Sequence, residues 1–88
     1  MSDERTNREK KIAKLIEQTN RSVRAAIAST RKDKGLKQDD AAERMAWTVN
    51  IMRNIEQGRR EITVAELIVL AQQMGVDPQL VFKRVLGW

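Results

Sequence analysis

Two glycine–hydrophobe pairs, Gly35-Leu36 and Gly75-Val76, together with the lone proline Pro78, most limit the folds open to this chain. A glycine just past a helical run, followed by an apolar residue, is the left-handed stop of a helix. A proline behind an Asp, as in Asp77-Pro78, is a helix start. No segment alternates apolar and polar residues as a strand does. Tyr is absent and aromatics are only 3% of the chain, which argues further against sheet. The expected fold class is all-α.

The stops divide the chain into five helices. The first is expected from about Ser22 to Asp33, with Val23, Ala26, Ile27 and Thr30 on one face. The second runs from about Gln38 to Met45 and turns Ala41, Ala42 and Met45 inward. Asp39 and Asp40 in its first turn suit the positive end of the helix dipole. The third runs from about Val49 to Gln57 behind the cap Thr48, with Met52 and Ile55 inward. The fourth, Val64 to Met74, opens on a T-x-x-E capping box (Thr63, Glu66) and carries Leu67, Leu70, Ala71 and Met74 as its stripe. The fifth starts at Pro78 with Leu80, Val81, Val85 and Leu86. Only Ala46-Trp47-Thr48 separates the second helix from the third, the length of a helix-turn-helix joint.

Residues 8–19 form an additional amphipathic stretch, with Ile12, Leu15, Ile16 and Thr19 at helical spacing. It is either a helix of its own or runs into the Ser22 helix through Asn20. It reads as a helix that caps the core or as a dimer contact. A short apolar face without Trp or Phe argues against a membrane-surface helix. The expected organisation is a basic N-terminal extension, 1–21, and a domain, 22–88.

Eighty-eight residues suit one domain, since domains commonly take about 100–200. With no Cys and no His, the chain lacks a thiol nucleophile, a thiolate zinc site and the commonest general base. An enzyme, a metal site and a cofactor are therefore not expected. No stretch of about 18 apolar residues exists, and no apolar run follows the charged start, so a cytoplasmic location is expected. Charge is uneven. Residues 61–88 hold two basic and three acidic side chains, which leaves fifteen basic and nine acidic for residues 1–60. Such a basic N-terminal two-thirds suits a polyanion, most often nucleic acid.

The block Gly35 to Leu67 resembles the lambda-repressor-like, Xre-type helix-turn-helix family. The residues that carry the resemblance are Gly35, Leu36, Gln38, Ala42, Thr48, Ile55, Glu56, Gly58 and Arg60, then Leu67, Leu70, Ala71, Gly75 and Val76. They fall in register without a gap, and the likeness spans about Ser22 to Phe82. It implies a five-helix DNA-binding domain. It also implies a structural ion pair between Arg31, late in the first helix, and Glu56. The chain departs from the family at Ala46, where a turn glycine is usual and a left-handed backbone would be strained. Trp47 is larger than the usual small hydrophobe and either plugs the core or reaches a partner. Ala41 stands for a common Leu, and Ile62 for a common Pro.

The side chains themselves support a duplex-reading helix. Val49, Asn50, Arg53 and Asn54 share the face opposite Met52 and Ile55. Asn can bond adenine, Arg can fork onto guanine, and Val offers a surface to the thymine methyl. Phosphate contacts are expected from Lys37, Gln38, Thr48, Gln57, Arg59 and Arg60. One such helix reads few base pairs, so a homodimer is expected, with Val81, Phe82, Val85, Leu86 and Trp88 as candidate dimer residues. The leading expectation is a sequence-specific DNA-binding transcriptional regulator, a repressor of bacterial or phage type. The alternative is an antitoxin-type regulator that binds both DNA and a toxin protein.

Overall fold

The computed structural model describes residues 2–88, with side chains from Asp3 onward. Five helices follow in order: α1 (Ser2–Asp33), α2 (Gln38–Arg44), α3 (Val49–Glu56), α4 (Val64–Gln73) and α5 (Pro78–Leu86). The described residues contain no strand.

Of the two alternatives for residues 8–19 the structure has the second: the extension and the first helix are one helix. Neither Gly nor Pro occurs between Ser2 and Asp33, so nothing interrupts the backbone ladder. Asp3 and Glu4 lie in its first turn and Arg31 and Lys32 in its last, matching the dipole at both ends. Arg5 pairs with Glu9 at 3.2 Å and Arg21 with Glu17 at 3.4 Å, each one turn apart. At about 1.5 Å per residue α1 is about 48 Å long. It sets the 51 Å long axis of a molecule only 28 by 19 Å across. Residues 3–19 are all exposed, so the N-terminal half of α1 does not cap the core.

The core lies under the second half of α1. Ala26 and Ile27 meet Ala41 and Ala42 of α2, Met52 and Ile55 of α3, Leu67, Leu70 and Ala71 of α4, and Val81 of α5. Met74 closes it behind α4. Val23, Leu36, Met45, Trp47, Ile62, Phe82 and Val85 pack around this centre half-buried. α5 lies against both α1 and α4. Arg84 donates to Ser29 Oγ at 3.2 Å and Thr30 Oγ1 at 3.1 Å, and pairs with Asp33. This placement corrects the expected dimer set. Val81 faces the core and is fully buried, and Phe82 and Val85 pack on it, which leaves Leu86 and Trp88 exposed.

All five helices end alike. At each end one N–H reaches back to a carbonyl three residues earlier and the next N–H to one five residues earlier, as in Gly35 to Lys32 at 2.9 Å and Leu36 to Arg31 at 3.1 Å. The residue at the turn has positive φ in every case, and four of the five are glycine. The fifth is Ala46, at φ 54°. The family's turn geometry is therefore kept without the glycine, at a cost of about 1–2 kcal/mol. Trp47 N–H bonds Ala42 O at 2.9 Å, and its ring packs on the core. At the starts, Thr63 and Glu66 form the reciprocal box at 2.9 and 3.0 Å, and Asp77 accepts from Gln79 N–H at 2.9 Å. Thr48 occupies the cap position of α3, but its side chain makes no capping bond.

Candidate nucleic-acid interface

The site is organised around Glu56, the last residue of α3. Its two oxygens accept from Arg31 Nε at 2.8 Å and Arg31 Nη2 at 2.9 Å. Both side chains are less than a tenth exposed. The third arm of the Arg31 guanidinium donates to Leu36 O at 2.9 Å. Glu56 Oε1 also accepts from Gln38 Nε2 at 3.2 Å. One carboxylate thus ties the end of α3 to α1 and to the first residue of α2. A bidentate pair fixes orientation as well as distance, so the angle between α2 and α3 is braced from inside.

With Met52 and Ile55 buried, helical spacing turns the other flank of α3 outward. Asn50 and Arg53 are exposed, and Val49 and Asn54 are half-exposed. Arg53 Nη1 donates to Asn50 Oδ1 at 3.0 Å, which aligns the two side chains along the helix. Among the described residues the Asn54 side-chain amide has no hydrogen-bond partner, and Val49 offers an apolar surface. The carbonyl of Asn54 instead receives Arg59 N–H at 2.8 Å and Arg60 N–H at 3.2 Å, folding the loop after α3 back on its end.

The six residues expected to grip phosphate divide into two groups. Lys37, Thr48, Gln57 and Arg59 are exposed, and none uses its side chain within the fold. Gln38 is half-buried, with one amide hydrogen held by Glu56. Arg60 is committed elsewhere. It pairs with Glu66 at 2.9 Å, donates to Glu61 O at 3.3 Å and lies 5.3 Å from the centroid of the Trp47 ring. It braces the loop to the start of α4 and to the turn residue Trp47, and its charge is not free. Glu66 is held below its ordinary pKa first by the hydrogen bond from Thr63 N–H and then by Arg60.

Arg24 was not anticipated. Its guanidinium lies over Gly58, so close that a Cβ there would sit 2.9 Å from its Cζ. Gly58 has φ 79°, so this position asks for glycine on two counts. Thirty-four residues separate Arg24 from Gly58, and no local pattern connects them. Among the described residues there is no cluster of His, Cys, Asp and Glu suited to a metal ion, and no helix is long and apolar enough to cross a membrane.

Comparison with known proteins agrees with this geometry. The helix-turn-helix family model matches residues 27–81. An uncharacterized HTH-type transcriptional regulator, y4dJ of Sinorhizobium fredii, is 37% identical over 55 residues, covering 62% of this chain and 71% of that protein. The crystal structure of the clp gene regulator ClgR from Corynebacterium glutamicum superposes with a TM-score of 0.72 at 25% identity, over 78% of this chain and 73% of that one. A second crystal structure of ClgR gives the same score over 88% of its chain. The matched segment spans α2 and α3, the short turn between them and the Arg31–Glu56 brace. The chain belongs to the Xre/lambda-repressor-like helix-turn-helix family of transcriptional regulators.

Proposed function

We propose that this chain is a sequence-specific double-stranded DNA-binding regulator that works as a homodimer and inserts α3 into the major groove. The observation that carries the reading is the outer face of α3. Asn50 and Arg53, exposed and joined by a 3.0 Å hydrogen bond, lie between Val49 and Asn54 on a helix whose other face is anchored in the core. In this reading Val49, Asn50, Arg53 and Asn54 meet base edges. Arg59, Gln57 and Thr48 meet phosphates on either side of the groove. At the start of α2, Asp39 and Asp40 offset the helix dipole, so the grip there rests on Lys37 and on the second amide hydrogen of Gln38. Repression is the expected mode, because a protein bound across a promoter blocks it sterically.

Binding-site selection from random duplex DNA tests the reading. The expected result is an enriched inverted repeat whose affinity falls steeply with salt, by about 0.9 log unit per log unit for each phosphate contacted. A pool that stays random after repeated rounds, or an affinity flat with salt, rejects it.

A further inference from the structure

We infer that the exposed N-terminal half of α1 is the dimerisation arm, and that two copies of this chain pair through it in antiparallel orientation. The inference rests on the dimeric DNA-binding reading and names the surface that makes the dimer.

The arm carries the core stripe onward. At about 100° per residue, Ile12, Leu15, Ile16 and Thr19 fall within the same arc of about 120° as Val23, Ala26, Ile27 and Thr30. The second set is covered by the domain, whereas Ile12, Leu15 and Ile16 are 53%, 48% and 57% exposed. A helix of this length with no tertiary support is marginal in water. The face that continues a buried stripe is the one that needs a partner.

The charges select a second copy and its direction. Arg5 and Arg8 lie on the stripe face near the arm's tip. A parallel pair would set each against its own counterpart. At the arm's base, Asn20, Val23, Ile62 and Glu61 line a groove of about 350 Å³, together with Arg24, which pairs with Glu17, and Arg60, which pairs with Glu66. Among the described residues neither Arg8 nor Glu61 has an ion-pair partner. An antiparallel pair centred near Lys14 places Arg8 of each copy opposite Asn20 of the other, beside Glu61. It therefore forms two new Arg8–Glu61 pairs by symmetry.

The same arrangement suits DNA. α3 and the loop after it meet α1 at Arg31 and Arg24, about 110° round the helix from the stripe centre, while α5 holds Ser29 on the opposite flank. The two-fold axis of an antiparallel pair is perpendicular to both arms and emerges on these flanks. Both α3 helices thus lie on one side of the dimer. Their attachment points are about 13–14 residues from the centre, which sets them on the order of 40 Å apart along the arms. Half-sites one turn apart need about 34–36 Å. Arms paired over four to five turns bury on the order of 1,000 Å² in total, the floor for a specific interface, so the free dimer dissociates on dilution.

Sedimentation equilibrium over a wide range of protein concentration tests this, with thermal melting by circular dichroism as the check on folding. The full chain should show a monomer–dimer equilibrium. Leu15→Glu with Ile16→Glu should give only monomer with the domain's melting transition unchanged. On a selected inverted repeat it should lose at least tenfold in affinity while binding a single half-site as before. Glu61→Arg should weaken the dimer, and Arg8→Glu in the same chain should restore it. A chain that stays monomeric throughout overturns the inference, even if it binds DNA. A double-Glu variant that still dimerises overturns it in favour of Leu86 and Trp88. Failure of the charge swap to restore pairing overturns the antiparallel geometry. Arm-mediated dimers that bind no duplex would leave this surface standing and remove the DNA reading instead.

Discussion

The two faces of α3 use similar polar chemistry to opposite ends. On its inner side Glu56 is under a tenth exposed and makes three hydrogen bonds to two other elements. On its outer side Asn50 and Arg53 are exposed and bond only each other. The inner carboxylate is surrounded by the fold, so removing it strands a charge. The outer groups face water, which replaces any bond they lose. A helix of eight residues can thus be rigid and chemically available at once, because rigidity and availability reside on different faces.

The sharpest way to break the contrast is Glu56→Ala. It leaves the Arg31 guanidinium buried without a counter-ion, at an expected cost of about 3–5 kcal/mol. Thermal denaturation should show the midpoint falling on the order of 20 °C. An unchanged midpoint would show that the inner face is not a brace.

The outer face should behave the other way. Asn50→Ala, Asn54→Ala or Arg53→Ala should move stability by less than about 0.5 kcal/mol. Each should cost about 1–3 kcal/mol in binding at particular base positions, read by selection on a randomised site. Arg59→Ala should instead weaken all sequences alike and reduce the salt slope by about one. If these variants lost binding in one uniform pattern, the division into base-reading and phosphate-gripping residues would fail.

The joint that sets the two faces apart offers a gain. Ala46→Gly relieves a left-handed backbone, offset in part by the greater freedom of glycine when unfolded. A net stabilisation of about 0.5–1 kcal/mol should raise the melting midpoint by about 3–6 °C. The smallest effect concerns pH. Glu66 has a depressed pKa, so its contribution to stability is fully present above the ordinary carboxylate range. It is lost as pH falls through the lowered folded value. Glu66→Gln, which keeps the side chain's shape but cannot titrate, should remove this acid-side loss in a denaturation series from pH 6 to pH 2.

Much of this was legible because the signals are local. The helix starts at Thr63 and Pro78, the stops at Gly35 and Gly75, and the inward set Met52, Ile55, Leu67 and Leu70 each follow from a few neighbouring residues. The Arg31–Glu56 pair was legible only through family resemblance, since twenty-five positions separate the partners. Three matters escaped. Val81 could not be told from the exposed Leu86, because both belong to one short amphipathic run and only the packing of α5 against α1 and α4 decides between them. Arg60 looked as free as Arg59, and the difference comes from Glu66 and Trp47 closing around one of them. Whether residues 8–19 stood apart or ran into the first helix through Asn20 stayed open, and the unbroken α1 has the second.

The amino-acid sequence alone determined the helices, their ends and the polar character of the outer face of α3, because capping, periodicity and turn chemistry act over a few residues. Only the tertiary structure decided which charges are spent and which remain available. It also decided that half of one continuous stripe on α1 is buried while the other half projects into solvent. Burial and ion pairing depend on which distant segments meet in space, and that is a property of the packed whole.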